Sequence, residues 1–553
     1  MFFYQNFGLL ILSTLFYAFI FLSPSFLIRS WHLIDMHYFY INLTFFCVAF
    51  YAQYISVSEM AETLAKKIRE LLFFQKIDRN AYDLNTKNAS QSSSEIIVSV
   101  QQFKELLEKV TPPLVNHVTI LLGASALISY FTLEPFFLTF FILPFLLLTQ
   151  LYSSHHLTSF FTRTQARLNK LGEYIFETLS QLKTVQALNH QKIDKMIMSQ
   201  YLNQMLKESE DSNHQSHLFF LCYFICIIGV LTGISFIGVS LIRVLDIKVL
   251  LTCSYLMGLM IISLFSLGRM AKDVSQILTL YRFFNEALTE KKPEYKRLVE
   301  YPAKGVIAVH NVSFAYPSVP HQMVLHDVNF SIYPGELIAL VGPSGAGKTT
   351  LLNLLMNFYQ ATKGKLYLDG INIAEMDPCD LRDQMTLVDQ EPELFSASVF
   401  ENILYGNPAA SEIDIENLLE LMMPQEHWQL PKGLRTPVGP RGAGLSIGQK
   451  QCIALCRGLL RNTPIMLLDE ATSSIDSYSK DLINSNLRLL LQDKTTIMVT
   501  HTLAHIQMAD RVIMMHGGRV VGFDTHENLY NENPLYRKLI LLEYNKEAVR
   551  QYA

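Results

Sequence analysis

The sequence predicts a multi-domain chain in which an all-α bundle of six membrane-spanning helices precedes an α/β domain built around a phosphate-binding loop. Three observations predict this architecture. Apolar stretches free of Asp, Glu, Lys and Arg recur through the first half of the chain. A polar segment with a proline, residues 290–297, separates the two halves. A glycine-rich loop at residues 342–349 then lies between a strand-like run and a helix-like run.

The composition is consistent with this division. The chain has 553 residues, which is more than one domain requires. Half of the residues are hydrophobic and only 17% are charged, which is apolar for a soluble protein. A net charge of −4 carries no electrostatic signature of nucleic-acid binding, so we expect no nucleic-acid partner. The seven cysteines form no C-x-x-C pair, which favours a reducing compartment for the soluble part.

Each apolar stretch approaches the roughly 20 residues that a helix needs to cross the hydrocarbon core of a bilayer. No basic residue precedes the first stretch, and no small-residue cleavage site is evident, so we interpret it as a retained span and not a signal peptide. The predicted spans are residues 7–28, 38–55, 113–133, 135–152, 218–242 and 249–268.

The connections after the second and fourth spans are long and carry most of the basic residues of this half, which places them in the cytoplasm with both termini. Helical spacing of apolar residues covers Met60–Phe74, Val98–Val110 and Leu157–Leu188. Each long connection is therefore predicted to extend as a helix, turn, and return as a helix. The turns are predicted near Asp78–Ser94 and Asn189–Lys195.

These observations divide the chain into four segments. We predict a membrane domain over residues 1–290, a linker over 291–304, the α/β domain over 305–540 and a C-terminal tail over 541–553. In the α/β domain, strand-like runs cover Gly305–Phe314 and Leu325–Ile332 ahead of the glycine-rich loop.

The glycine-rich loop fits the pattern G-x-x-x-x-G-K-[ST] and lies between the apolar run Leu337–Val341 and the helix-like run Leu351–Leu355. Glycines let backbone N–H groups approach phosphate oxygens, and the following helix presents its positive end to the same anion. Lys348 is expected to reach the β- and γ-phosphates, and the Thr349 hydroxyl to reach Mg²⁺.

Four further motifs follow in a fixed order. Gln390 lies in the segment Leu387–Pro392, and the run Leu445-Ser446-Ile447-Gly448-Gln449 precedes a helix-like segment, Lys450–Leu460. Two apolar strands then end in Asp469-Glu470 and in His501. With the glycine-rich loop, this order resembles the nucleotide-binding domain of ABC transporters over residues 305–540. The upstream half resembles the six-span membrane domain of ABC exporters.

The resemblance implies ATP and Mg²⁺ as cofactors. It implies that Thr349, Gln390 and Asp469 bind Mg²⁺, and that Glu470 acts as general base on a water contacted by Gln390. His501 would bond the γ-phosphate and help to position Glu470, and Tyr316 would stack on adenine. The predicted nucleotide-binding residues are Tyr316, Gly342, Pro343, Ser344, Gly345, Ala346, Gly347, Lys348, Thr349, Thr350, Ser446, Gly448 and Gln449.

Ser446 is predicted to be the N-cap of the helix that follows it, so that its hydroxyl, backbone amides and the helix dipole converge on one anion. In the family, that anion is the γ-phosphate held by the glycine-rich phosphate loop, or P-loop, of a second subunit. The resemblance therefore implies a half-transporter that works as a dimer.

Several residues depart from the family pattern. The run Leu445–Gln449 corresponds to the family's signature sequence, and Ile447 stands where that signature usually has glycine. Cys452 and Thr502 stand where arginine is common, and Pro440 replaces a usual glutamate. Cys452 and Cys456 lie one helical turn apart, which favours packing over metal binding. The altered signature favours a heterodimer in which Ile447 serves the weaker site, and a homodimer that tolerates Ile447 stays open.

The expected function is ATP-driven export or flipping of an unidentified substrate, with the lipid bilayer as the other partner. The alternative is an ATP-gated regulatory or channel-type subunit. An importer is disfavoured because the membrane and nucleotide parts share one chain. The expected location is the inner membrane of a bacterium, with the nucleotide-binding domain in the cytoplasm.

Overall fold

The computed structural model describes residues 36–77, 95–131, 167–207 except 169, 173 and 205, 247–289, 303–422, 430–475 and 477–551, and four isolated helical positions between 221 and 228. The chain forms two compact units, and the main division lies between Lys291 and Lys292. Most of the predicted linker, residues 291–302, lies outside the described residues.

The first unit is helical. Its elements are α1 (Met36–Ile77), a π-helical turn (Glu95–Ser99), α2 (Val100–Phe131), α3 (Leu182–Ala187) and α4 (Ile247–Thr289). Helix α1 includes both the predicted span 38–55 and the predicted extension Met60–Phe74. The span and its extension are therefore one continuous helix of 42 residues, as the apolar spacing predicts.

Two layers of contacts join the long helices. Leu121, Ala124 and Ile128 of α2 pack with Leu256 and Met260 of α4. Nearer the predicted cytosolic end, the rings of Phe103 and Phe284 meet edge to face at a centroid distance of 5.5 Å. An ion pair of 2.8 Å between Lys109 of α2 and Asp273 of α4 also joins these two helices.

Two stretches among the described residues are long and apolar enough to cross a bilayer, Ile96–Ile128 and Leu251–Gly268. The predicted spans 7–28 and 135–152, most of 218–242 and the turn 78–94 lie outside the described residues. The other turn, predicted near Asn189–Lys195, is described and lies slightly earlier, because the chain is helical again from residue 191. Residues 188–190 join helical segments on either side, and the Tyr174 hydroxyl contacts Asp194 Oδ1 at 3.1 Å across the hairpin.

The second unit contains ten described strands. In chain order they are β1 (Ile307–Ala315), β2 (Met323–Ile332), β3 (Leu337–Val341), β4 (Lys363–Leu368), β5 (Ile371–Asn372), β6 (Met385–Val388), β7 (Ile465–Asp469), β8 (Thr495–Val499), β9 (Arg511–His516) and β10 (Arg519–Asp524). One sheet is antiparallel, with the order β2-β1-β4-β5. The other has the order β10-β9-β3-β8-β7-β6 and is parallel except at β10.

Nine helices of this unit are described. They are α5 (Lys348–Leu355), α6 (Pro378–Gln384), α7 (Val399–Leu404), α8 (Glu412–Met422), α9 (Ile447–Leu460), α10 (Ser477–Leu490), α11 (Leu503–Met508), α12 (His526–Glu532) and α13 (Pro534–Gln551). Short 3₁₀ turns cover Ile373–Glu375, Gly433–Arg435 and Pro440–Gly442. Helix α13 continues past residue 540, where the sequence predicts that the domain ends.

The parallel sheet decides where the functional loops lie. Every residue of β7 and β8 is buried, as expected for strands covered on both faces. Strands β3, β8, β7 and β6 are neighbours and run in the same direction. The loops that follow them therefore emerge at one edge of the sheet, where open α/β sheets bind their ligands.

Candidate active site

The loop after β3 has the backbone shape of a phosphate cradle. Gly347 adopts φ +94°, a left-handed conformation that favours glycine, and its missing β-carbon would lie 2.6 Å from Leu325 Cδ2. A β-carbon at Gly342 would lie 2.2 Å from the Met515 carbonyl oxygen. Pro343, Ser344 and Gly345 form the exposed rim of the loop. The buried Ala346 donates its amide to the Pro343 carbonyl at 3.2 Å, which closes the turn before α5.

Lys348 is the first residue of α5, and its side chain folds back over this loop. Its Nζ donates to the carbonyl oxygens of Gly342 at 2.8 Å and of Pro343 at 3.1 Å. Burial lowers the pKa of the Lys348 ammonium, while the carboxylates of Glu470 and Asp469 raise it. The ammonium is thus held within the loop, where a phosphate would bind.

Asp469 and Thr349 form the part of the site that fits Mg²⁺. Asp469 ends β7, is 3% exposed, and accepts a hydrogen bond from the Thr349 hydroxyl. Burial raises the pKa of the Asp469 carboxyl, and the hydrogen bond from Thr349 opposes that shift. Among the described residues, no group of three or more His, Cys, Asp and Glu side chains could hold a metal ion. One carboxylate and one hydroxyl suit Mg²⁺, which in such sites takes its remaining ligands from water and phosphate.

Glu470 lies at the centre of the loops. Its Oε2 accepts from Gln390 Nε2 at 2.9 Å, and its Oε1 lies 3.1 Å from His501 Nε2. The side chain of Glu470 is 20% exposed, so water can reach the carboxylate. Its φ of +47° is uncommon for a residue with a β-carbon, and such conformations cluster at active sites. The structure therefore brings together Gln390, Glu470 and His501, which the resemblance assigned to one water.

Tyr316 is joined directly to the helix that follows the phosphate loop. Its hydroxyl lies 2.9 Å from the hydroxyl of Thr350, a buried residue in the first turn of α5. Its ring meets those of Phe314 and Tyr359 edge to face, at centroid distances of 5.0 and 5.2 Å. These contacts place an aromatic ring beside the cradle, and stacking on adenine remains a prediction.

The signature forms the start of α9, which begins at Ile447, three residues before the helix-like run predicted over Lys450–Leu460. Ser446 is the N-cap, as predicted, and accepts from the Gln449 amide at 3.2 Å while Gln449 Oε1 accepts from the Ser446 amide at 2.9 Å. This reciprocal pair is a capping box. Ile447 projects outward with 61% of its surface exposed, so the residue that departs from the family pattern lies on the surface of α9.

Gly448 faces the opposite way. A β-carbon there would lie 3.0 Å from the Ser474 carbonyl oxygen, so the start of α9 lies directly against the segment that follows Glu470. Cys452 and Cys456 are fully buried within the core that α9 shares with β7, which supports packing as their role. Asp476, which belongs to the same segment, lies outside the described residues.

A cavity of about 560 Å³ opens beside the catalytic loops. The phosphate loop, Glu470 and His501 form one side, and Leu539, Leu542 and Glu543 of α13 contribute to the lining. Residues of the predicted α/β domain (305–540) and of the predicted C-terminal tail (541–553) therefore line the same cavity.

Sequence reasoning missed Gln451. This residue of α9 is 1% exposed, and its amide contacts the loops that carry Gln390 and Glu470. The only available signal was a polar side chain among apolar neighbours of an amphipathic helix, and that pattern does not distinguish a buried glutamine from an exposed one.

The helical unit has two described stretches of membrane-crossing length, and the P-loop site indicates a nucleotide-binding domain. Comparison with family models agrees. The ABC transporter transmembrane region model matches residues 7–264, and the ABC transporter model matches residues 325–473. The two models together match more than half of the chain. The chain therefore belongs to the ABC transporter family, as an integral membrane protein with a helical transmembrane domain followed by an ATP-binding domain.

Individual relatives show how far the similarity extends. The chain is 29% identical over 505 residues to ABC transporter B family member 14 of Arabidopsis thaliana, which covers 88% of this chain and 40% of the relative. It is 40% identical over 247 residues to the ATP-dependent lipid A-core flippase of Methylobacillus flagellatus, covering 44% of this chain and 42% of the relative. The chain spans less than half the length of the curated relatives it matches.

The chain also resembles solved structures. The structure of a bacterial Atm1-family ABC exporter with ATP bound matches with a TM-score of 0.84 and covers 100% of both chains. The sequences are 21% identical, so this likeness concerns the fold alone. It confirms the predicted exporter-type fold.

Proposed function

We propose that this chain is one half of a dimeric ABC exporter that couples ATP hydrolysis to the export or flipping of a substrate across a membrane. The observation that carries the proposal is the position of Glu470, which lies within hydrogen-bonding distance of Gln390 and His501 and directly follows the buried Asp469. A carboxylate that is oriented by two side chains and accessible to water is suited to general-base catalysis.

The residues of the site divide the work. The phosphate loop and Lys348 would bind and orient the β- and γ-phosphates, and Thr349, Gln390 and Asp469 would hold Mg²⁺. Bound Mg²⁺ supplies charge neutralisation at the phosphate oxygens. Gln390 and His501 would orient the carboxylate of Glu470 toward the attacking water. Glu470 would then accept a proton from that water as general base. Tyr316 would orient the nucleotide by contact with its base.

A second subunit would complete the site. The capping box of Ser446 and Gln449 preorganises the N-terminus of α9, a 14-residue helix whose amides can bind an anion. In this proposal the anion is the γ-phosphate on the P-loop of the partner. The exposed side chain of Ile447 would then face the dimer interface, where it would weaken the site that it completes. This favours a heterodimer with a partner that has an intact signature.

Several relatives carry the name lipid A-core flippase, which favours a lipid-linked substrate, but these matches cover about half of the present chain or less. We propose the inner membrane of a bacterium as the location, with the ATP-binding domain in the cytoplasm.

The test is transport in proteoliposomes by the complex that purifies with the tagged chain. We expect ATP hydrolysis that a lipid substrate stimulates and a flipped fluorescent lipid analogue that accumulates only with ATP. Identification of co-purifying subunits would distinguish a heterodimer from a homodimer, and rapid hydrolysis by the pure homodimer would refute the heterodimer. Hydrolysis that accompanies ion flux down its gradient, without accumulation of any substrate, would refute export and favour an ATP-gated channel.

A further inference from the structure

A buried amide links the signature helix to the catalytic loops of the same chain. Gln451 Nε2 lies 3.0 Å from the backbone carbonyl of Gln390, 3.3 Å from Ser473 Oγ and 3.5 Å from the backbone carbonyl of Glu470. Its Oε1 accepts from the Ser474 amide at 3.0 Å. One side chain therefore contacts the loop after β6 and the loop after β7.

These contacts act on backbone groups and not on the reacting atoms. The carbonyl of Gln390 and the carbonyl of Glu470 belong to the two residues whose side chains meet at 2.9 Å in the site. A shift of either backbone would change that distance directly. Since Gln451 is 1% exposed, water cannot replace its hydrogen bonds without an opening of the core.

A second contact holds the same two elements together. Gly448 lies so close to the Ser474 carbonyl that a β-carbon would approach within 3.0 Å. The start of α9 therefore contacts the segment after Glu470 at two points, one by close backbone approach and one by the amide of Gln451. The rest of α9 is packed in the core, where Cys452, Ile453 and Leu455 are buried.

We infer that Gln451 is a positioning residue that holds the backbones of Gln390 and Glu470 against the signature helix and thereby sets the rate of hydrolysis at this chain's own P-loop. This inference rests on the proposed function. It has a consequence for the dimer, because α9 also presents the signature to the partner. Displacement of α9 by the partner's nucleotide would be transmitted through Gln451 to Glu470.

The chain offers a matched control for a test. Asn402 is also a fully buried amide, and its Nδ2 donates to the carbonyls of Phe395 and Ser398 at 3.1 and 3.0 Å. Its Oδ1 accepts from the Phe395 amide at 2.9 Å. Gln451→Glu and Asn402→Asp each replace a buried donor by an oxygen at nearly constant volume. Gln451→Met removes all polar contacts of Gln451 and serves as a neutral second variant, should the charged one fail to accumulate.

The unmodified chain and the three variants, each together with any subunit that co-purifies, would be compared in nanodiscs. We expect both Gln451 variants to lower kcat about tenfold or more, because small misplacements of catalytic groups are costly, with little change in the Kd for ATP. Asn402→Asp should lower the melting temperature to a similar degree and leave kcat within about twofold of the wild type, because its partners lie outside the site. Deuterium exchange at residues 388–392 and 470–475 should rise in the Gln451 variants alone.

Three results would decide against the inference. These are an unchanged kcat in Gln451→Met, an equal loss of kcat in Asn402→Asp, and unchanged exchange in the two segments. A complex of the chain with its co-purifying subunit that binds ATP without hydrolysing it would refute the proposed function instead. The exchange measurement would then still decide whether Gln451 orders the two loops.

Discussion

Replacement of Glu470 by glutamine tests the catalytic assignment most directly. The amide has the same shape and keeps one oxygen that can accept from Gln390, but it cannot take a proton from water. Loss of a general base costs roughly 100- to 10,000-fold in rate, which corresponds to about 3–5 kcal/mol in the barrier. Binding should change little, because the hydrogen bonds that hold Lys348 in the phosphate loop go to the carbonyls of Gly342 and Pro343 and not to this carboxylate.

The assay measures steady-state ATP hydrolysis and the amount of ATP retained after gel filtration. We expect Glu470→Gln to hydrolyse ATP at less than about one hundredth of the wild-type rate and to retain more ATP, because the closed dimer persists. Glu532→Gln, a change at an exposed carboxylate of α12, is the control and should behave as wild type. Hydrolysis by Glu470→Gln within threefold of the control, about 0.65 kcal/mol, would show that another group acts as the base.

Three further predictions concern other parts of the domain. Ile447→Gly should raise hydrolysis by the homodimer, and it should cost only about 0.5 kcal/mol in helix propensity because the side chain is 61% exposed; an unchanged rate would show that Ile447 does not obstruct the site. Gly458→Val should lower the melting temperature by an amount equivalent to about 1–3 kcal/mol, because its β-carbon would lie 2.8 Å from Val388 Cγ2; a calorimetric scan decides. Thermal stabilisation by Mg²⁺-ATP should weaken as the pH falls, and at a higher pH than an ordinary aspartate would produce. Burial raises the pKa of the Asp469 carboxyl. Below that pKa the carboxyl is protonated and cannot bind Mg²⁺, so the metal-free folded state is favoured; above it the carboxylate is ionised and can bind Mg²⁺. Asp469→Asn should remove this dependence, and an unchanged pH profile in that variant would contradict it.

The site could be predicted well from the sequence wherever a motif coincides with the end of a strand. Strand β3 spans Leu337–Val341 and β7 spans Ile465–Asp469, as the apolar runs predict. The N-cap role of Ser446 was also predictable, since a cap depends on residues within one turn. The helix-like run predicted from the sequence covers Lys450–Leu460, and α9 begins three residues earlier at Ile447, directly after the N-cap.

By itself the sequence determined the family, the phosphate loop and the order of the motifs, because backbone stereochemistry and hydrophobic period are local properties. The tertiary structure alone decided which side chains meet. Glu470 contacts Gln390 across 80 residues of chain, and this contact exists because β6 and β7 are parallel neighbours in the sheet. Gln451 reaches both loops because α9 packs next to the edge of the sheet from which these loops emerge. No local sequence pattern specifies that packing. Contacts between distant segments depend on strand order and helix packing, and these are set by burial of the whole core.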